Sequence, residues 1–159
     1  MRKPLGSGQK GRTVMLRGSC LCGGIRYEIV GDLELPLNCH CSMCRKATGA
    51  AFRSRARVSS ATFRWVAGEE LLSRYASSPG HVRTFCRICG STLVTIFPNS
   101  PEELGLAMGT LDDDPGVRPQ FHVHVDSKAP WYDITDSLPQ FATTPEGEVR
   151  SASHPAVCG

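Results

Sequence analysis

Seven of the eight cysteines fall into three clusters. Cys20-Leu21-Cys22 is followed by Gly23-Gly24. Cys39-His40-Cys41 runs on through Ser42-Met43 to Cys44. Cys86-Arg87-Ile88-Cys89 is followed by Gly90. Thiols two or three positions apart on a tight turn can place both sulfurs on one ion. A glycine after the last of them lets the chain take positive φ and aim backbone N–H groups at the sulfurs. Soft thiolates select Zn2+ among common cellular metals, with iron–sulfur centres as the alternative. Seven ligands divide as four plus three. Four cysteines close a site and make it structural, whereas three protein ligands leave a position for water or substrate. The simplest partition joins Cys20, Cys22, Cys86 and Cys89 and leaves Cys39, Cys41 and Cys44 as an open set. Spacing alone leaves other partitions standing. Cys39 or Cys44 could join the third cluster, or His40, His122 or His124 could supply an eighth ligand. Equally open is the blander reading, in which both ions only staple a small β core. Cys158 has no cysteine nearby and reads as a bystander thiol.

The elements that must hold these clusters are mostly strands. Ile25, Tyr27 and Ile29 alternate with Arg26, Glu28 and Val30, the pattern of a half-buried strand. Arg53, Arg55 and Arg57 alternate with Ser54, Ala56 and Val58, so period two puts the three arginines on one face. Further strands are expected over 62–66, 71–75, 82–85, 92–97 and 121–126, the last placing His122 and His124 on one face. Helix signals are few. Ser42 to Thr48 suits a short turn closed by Gly49, and Ser100-Pro101-Glu102-Glu103 has the form of a capping box with room for one turn. Sixteen glycines and eleven prolines fit short strands joined by tight turns. The expected fold class is mainly β, with few short helical turns, organised around zinc–cysteine sites. Residues 1–13 read as a mobile N-terminal tail, 14–142 as one zinc-binding domain and 143–159 as a C-terminal extension.

Composition narrows the function. The 159 residues carry 18 basic and 15 acidic side chains, and the basic excess is concentrated at the start. Arg2, Lys3, Lys10, Arg12 and Arg17 face no acid within residues 1–17; setting those five aside leaves 13 basic against 15 acidic. The body is therefore not the basic surface of a dedicated nucleic-acid binder. A local patch exists, since residues 36–67 hold Arg45, Lys46, Arg53, Arg55, Arg57 and Arg64 and no acid. No apolar run is long enough to span a membrane. With no apolar leader at the N-terminus, a reducing, cytoplasmic setting is expected, in which clustered cysteines bind metal or do thiol chemistry.

Three segments together, Gly18-Ser19-Cys20-Leu21-Cys22-Gly23-Gly24, Cys39-His40-Cys41-Ser42-Met43-Cys44-Arg45-Lys46 and Phe85-Cys86-Arg87-Ile88-Cys89-Gly90-Ser91, resemble the glutathione-dependent formaldehyde-activating enzyme family, which includes the centromere protein V group. Phe121-His122-Val123, Lys128-Ala129-Pro130-Trp131 and Leu138-Pro139-Gln140-Phe141 extend the resemblance, which spans roughly residues 15–142. It implies a β-tent of several coiled antiparallel sheets. It implies the same division of ligands, with Cys20, Cys22, Cys86 and Cys89 structural and Cys39, Cys41 and Cys44 catalytic. It implies a carbon–sulfur lyase activity that joins formaldehyde to the glutathione thiol, giving S-(hydroxymethyl)glutathione. The chain departs from the enzymes that gave the family its name, where a glycine stands at the position of His40 and an aromatic at that of Arg45.

Around such a centre the expected substrate contacts are Arg45, Lys46 and Arg53, cations suited to glutathione carboxylates and to the excess negative charge of thiolates. The alternative for Arg53, Arg55 and Arg57 is a solvated strand face. His122 and His124 could move protons, or be ordinary surface or core histidines. Trp131 could wall the pocket, or pack in the core. Asp112-Asp113-Asp114-Pro115-Gly116 is too short a pattern for a calcium loop and reads as a solvated turn. The expected partner is a small thiol or aldehyde, with glutathione as co-substrate. The competing class is a non-catalytic zinc-stabilised module that binds protein or nucleic acid.

Overall fold

A computed structural model describes residues 14–145; the proposed tail at 1–13, Cys158 and most of the proposed C-terminal extension lie outside them. The described chain is mainly β, with ten strands and one short α-helix. In chain order they are β1 (Met15–Ser19), β2 (Arg26–Val30), β3 (Glu34–Cys39), α1 (Ser42–Thr48), β4 (Arg53–Ser59), β5 (Phe63–Ala67), β6 (Leu72–Ser78), β7 (His81–Cys86), β8 (Thr92–Ile96), β9 (Glu103–Ala107) and β10 (His122–Val123). A three-stranded sheet runs β1-β2-β5, and a seven-stranded sheet runs β10-β3-β4-β9-β8-β7-β6. Every pairing is antiparallel except that of β10 with β3.

Period two explains the larger of two cores. Leu16, Tyr27 and Ile29 from the small sheet meet Ala56, Val58, Leu93, Val94 and Leu106 from the large one, all buried. Tyr27 stacks on Phe63 with ring centroids 5.1 Å apart, and its hydroxyl shares a hydrogen bond with Thr110 at 2.8 Å. A second, smaller core gathers Leu37, Phe121 and Val123 around Cys39, Cys41 and Cys44. Each cysteine cluster thus sits at the edge of an apolar core that fixes its backbone.

Three expectations are corrected. Ser100-Pro101-Glu102-Glu103 does not start a helix. The Glu103 N–H donates to the Ser100 carbonyl at 3.0 Å, and the chain enters β9 directly. Leu106 reaches full burial there beside Ala56, a gain that outweighs local capping preference. The strand expected over 121–126 ends at Val123, because His124 takes φ 56°, and His122 and His124 therefore share no strand face. Arg53 is not on a solvated face: it is 3% exposed, while Arg55 and Arg57 are half-buried. The acidic turn does face solvent, and it pins β1. Asp113 pairs with Arg17 at 3.0 Å, and Asp112 accepts from the Ser19 hydroxyl at 2.9 Å.

Gly68 shows how tightly the turn below the first cysteine cluster is held. Its φ is +74°, and a Cβ there would lie 2.1 Å from the Gly24 carbonyl oxygen. Gly68→Ala meets both a left-handed backbone penalty and a clash, and is expected to cost at least about 2 kcal/mol. Urea unfolding of the zinc-loaded protein checks this; an unshifted midpoint would mean that the contact between these turns is not rigid.

Candidate metal centres

The structure divides the seven clustered cysteines as four and three. The sulfurs of Cys20, Cys22, Cys86 and Cys89 lie within 4.8 Å of one another, and so do those of Cys39, Cys41 and Cys44. Among the described residues no fourth cysteine, histidine or carboxylate completes the second set. Each set is built by local backbone. Cys20 follows β1, and the Gly23 N–H closes a turn on its carbonyl at 2.8 Å. Cys86 ends β7, and the Gly90 N–H closes the matching turn on it at 2.8 Å with φ +77°. The Ile25 N–H points at the Cys20 sulfur at 3.2 Å, and the Leu21 N–H donates to the Ser91 hydroxyl at 2.9 Å, which ties the two turns together. The second set is made by one chain reversal. Cys39 ends β3, Cys41 caps α1, and Cys44 is in its first turn, its N–H directed at the Cys41 sulfur at 3.4 Å. Gly49, at φ 66°, then stops the helix.

The sulfur spacing suits zinc. Tetrahedral Zn–S bonds of about 2.3 Å put sulfurs about 3.8 Å apart. Cys20 and Cys22 are 3.4 Å apart, and Cys22 and Cys86 are 3.9 Å apart. The protonation pattern has the same origin. Two thiolates about 4 Å apart repel by about 4 kcal/mol at a protein-like dielectric, so a metal-free cluster carries one charge, not three. Hydrogen bonds from Cys39 and Cys41 push the Cys44 thiol down, and Arg83 and Arg53 add to this. Bonds to Cys39 and Cys44 hold Cys41 strongly up. At Cys39 the bond from Cys41 lowers the thiol, but its bond to Cys44 and burial outweigh this and raise it to about 11. In the four-cysteine set, hydrogen bonds from the Ser91 hydroxyl and N–H bring Cys89 down to about 5. A dication bound to either set removes the repulsion.

Two buried guanidinium groups stand beside the three-cysteine set. Arg53 pairs in register with Cys39 and donates to Thr95 Oγ1 at 2.9 Å and to the Gly105 carbonyl at 3.1 Å. Arg83, 8% exposed, donates to Ser77 at 3.1 Å and points Nη2 at the Cys44 sulfur at 3.8 Å. Arg53 Nε and Arg83 Nη1 are buried without a partner among the described residues. Burial lowers the Arg53 guanidinium to about 10, and the Cys44 charge opposes that drop. Arg83 was not singled out by the sequence. Its strand neighbours Val82 and Thr84 carry no feature that separates it from Arg55 or Arg57; only the pairing Arg83↔Thr95 brings it to this face.

The other expected contacts scatter. Arg45 is half-buried and holds the His40 carbonyl at 3.3 Å, and Lys46 is exposed. His122 is fully enclosed, its Nδ1 2.8 Å from His40 Nε2 and its Nε2 3.1 Å from both oxygens of Asp136. His40 is 0% exposed and packs against Phe52 at 5.1 Å and Tyr132 at 6.1 Å. Burial, then the neighbouring His122, lowers its imidazole to about 4. His124 is half-buried beyond the strand end, and burial lowers it too. Trp131 is not core packing: it is 72% exposed, with its ring edge towards Tyr132 at 6.4 Å. The basic run 36–67 is answered in part by other segments, because Arg64 pairs with Glu28 and Arg57 with Glu103 at 3.7 Å, while Arg53 is inside.

Residues 15–127 match the sequence profile described as "Glutathione-dependent formaldehyde-activating enzyme". The chain belongs to that family. A Halomonas elongata protein named "Putative glutathione-dependent formaldehyde-activating enzyme" is 33% identical over 129 residues, covering 76% of this chain and 82% of its own. A protein of Schizosaccharomyces pombe named as an uncharacterized lyase is 25% identical over 124 residues, covering 78% and 88% respectively. The crystal structure of a Rhodobacter sphaeroides protein matches with TM-score 0.52 and 29% identity, over 65% of this chain and 97% of that one. No helix among the described residues is long and apolar enough to cross a membrane.

The two sets should part company under a chelator. Three protein ligands hold an ion less firmly than four, and the four-cysteine set joins turns 64 residues apart in sequence. Metal analysis is expected to give two zincs per chain. Graded chelation should remove one with the circular dichroism unchanged and the second only with unfolding. Loss of both in a single step together with the fold would make both sets staples.

Proposed function

We propose that this chain is a zinc-dependent carbon–sulfur lyase that works at Cys39, Cys41 and Cys44 on the adduct of a thiol and an aldehyde, S-(hydroxymethyl)glutathione being the model substrate. The observation that carries this reading is a buried three-sulfur set, short of one ligand, with two buried cations beside it. Membership of the family and the names of its relatives point the same way.

When bound there, a zinc ion supplies an open position that ionises an incoming thiol and polarises a carbonyl oxygen. The chain's own residues supply the rest. Three thiolates and a dication leave one net negative charge. Arg53 and Arg83 turn that into one net positive charge, so the site is neutral only when one anion more arrives. A substrate thiolate is such an anion. Arg83 Nη1 and Arg53 Nε keep N–H groups free among the described residues to meet it or the oxygen next to it. In the forward direction the thiolate sulfur donates its pair to the aldehyde carbon. The C–S bond forms as the carbonyl π bond breaks, and the oxygen takes up the proton that the thiol released on ionising, becoming a hydroxyl. Cleavage runs the same changes backwards.

Cys41→Ser separates a reactive centre from a staple. The variant is expected to lose about one zinc, keep its circular dichroism, and lose all acceleration of glutathione–formaldehyde exchange over the spontaneous rate, read by NMR exchange spectroscopy. A folded variant with full activity would refute the reading, and so would one that simply unfolds. Arg83→Met removes one cation without touching a ligand. A lost charge-assisted hydrogen bond predicts a fall in kcat/KM of about 10- to 100-fold with zinc content intact. Unaltered kinetics would take Arg83 out of the site.

A further inference from the structure

The three arginines of β4 alternate onto the face that carries Cys39, and their partners there differ. Arg53 is enclosed, with both terminal nitrogens taken by Thr95 and Gly105. Arg57 meets Glu103 at 3.7 Å. Arg55 lies between them, half-buried, and makes no hydrogen bond or ion pair among the described residues. Its neighbours across the sheet are Leu37 on β3 and Ala107 on β9, whose side chains offer no acceptor. The groups that feel its charge surround the three-cysteine set. At Cys39 it favours the thiolate, alongside the stronger bond from Cys41 and against Cys44 and burial. At His124 burial lowers the imidazole, and Arg55 works in the same direction against the pull of the Cys44 charge. A guanidinium carries five N–H donors, and half-burial takes water from them without putting an acceptor in its place.

With the sulfur set loaded, three thiolates and a dication leave one negative charge, and Arg53, Arg83 and Arg55 together exceed it by two. A substrate thiolate removes one of the two. The other is the charge of Arg55, the member of the three that solvent still reaches. A neutral aldehyde cannot answer it. A carboxylate can, because its two oxygens match the guanidinium fork and its single charge closes the count. Arg55 is two residues from Arg53, roughly 7 Å along the strand. The carboxylate therefore belongs several bonds from the reacting sulfur, as both carboxylates of glutathione do. We infer that Arg55 is a specificity-determining residue of the site, taking a carboxylate carried by the thiol substrate, so that acidic thiols bind in preference to neutral ones. The inference rests on the proposed function and narrows its substrate class. Arg53 and Arg45, the cations that spacing favours for this task, already hold other acceptors: Thr95 and the Gly105 carbonyl for the first, the His40 carbonyl for the second.

The test uses protein with zinc in the four-cysteine set and cobalt in the three-cysteine set, so that the cobalt–thiolate absorption band reports a thiol entering the open position. Glutathione is titrated against it, and so is glutathione diethyl ester, which has the same thiol and no carboxylate. The diester should bind about 10- to 100-fold more weakly, the loss expected for one charge-assisted pair. Arg55→Met should weaken glutathione to the level of the diester, leave the diester's own Kd unchanged and keep both metals bound. The unchanged diester separates a lost contact from a damaged fold. Arg57→Met removes a cation from the same face and should leave the preference in place. Equal binding of the two ligands by the unaltered protein overturns the inference without any variant. A preference that survives Arg55→Met, or that disappears equally in Arg57→Met, overturns it too. If both ligands shift the band alike, the inference falls and the proposed function stands. If neither perturbs the band, the proposed function falls and takes the inference with it.

Discussion

Sulfurs crowded within 4.8 Å of one another repel as thiolates and bond weakly as thiols, so neither cluster is at rest without a cation. The rest of the molecule follows from meeting that constraint twice, in two ways. One cluster draws its ligands from turns far apart in the chain, and a metal there is a cross-link between β1 and β7. The other draws all three from six consecutive residues, where a metal adds little chain closure. Loop entropy alone gives a metal at the first set the larger stabilising effect.

Burial of the second set adds a second demand. Taking charge out of water is costly unless each charge meets its opposite, and the apolar residues Leu37, Phe121 and Val123 exclude water from Cys39, Cys41 and Cys44. Arg53 and Arg83 answer from the large sheet. Among the described residues neither is paired with a carboxylate; their hydrogen bonds go to Thr95, Gly105, Ser77 and the Cys44 sulfur. Neutral acceptors hold a guanidinium in place without cancelling its charge. The cations are therefore positioned for the sulfur site and not spent elsewhere, in contrast to Arg57 and Arg64, which meet glutamates.

How much of this was legible in the sequence depended on range. The cysteine partition was, because spacing of two or three residues with a following glycine is a local signal, and the β character was, because Ile25, Tyr27 and Ile29 alternate cleanly. Helix α1 and its stop at Gly49 were readable for the same reason. β1, β3 and β9 were not singled out. β3 is broken by Pro36 and by Leu35 at φ 46°, and β9 hides behind a capping-box pattern that tertiary burial of Leu106 overrides. The arginine face was seen, but not its burial, since period two gives a face and not what covers it. Arg83 and Asp136 had no local mark at all. Each matters only through a partner 39 or 14 residues away, and pairing at that distance is written in sheet register, not in spacing.

Register also explains why the histidines meet. β10 is two residues long, too short to hold by itself, yet it is the parallel edge of the large sheet. Its pairing of His122 with Asn38 and Val123 with Cys39 is secured from both sides. The His40 N–H donates to the Val123 carbonyl at 3.0 Å, and the Phe141 N–H donates to the His122 carbonyl at 2.9 Å. At His124 the backbone turns into the left-handed region, so the strand cannot continue and its register cannot slide by two without losing that turn. A slip of one would send the His122 ring to the opposite face, away from His40, and put Val123 in its place. The strained residue after the strand thus fixes the buried contact before it, and the fixed contact keeps the surface carboxylate of Asp136 joined to the chain segment that carries Cys39 and Cys41.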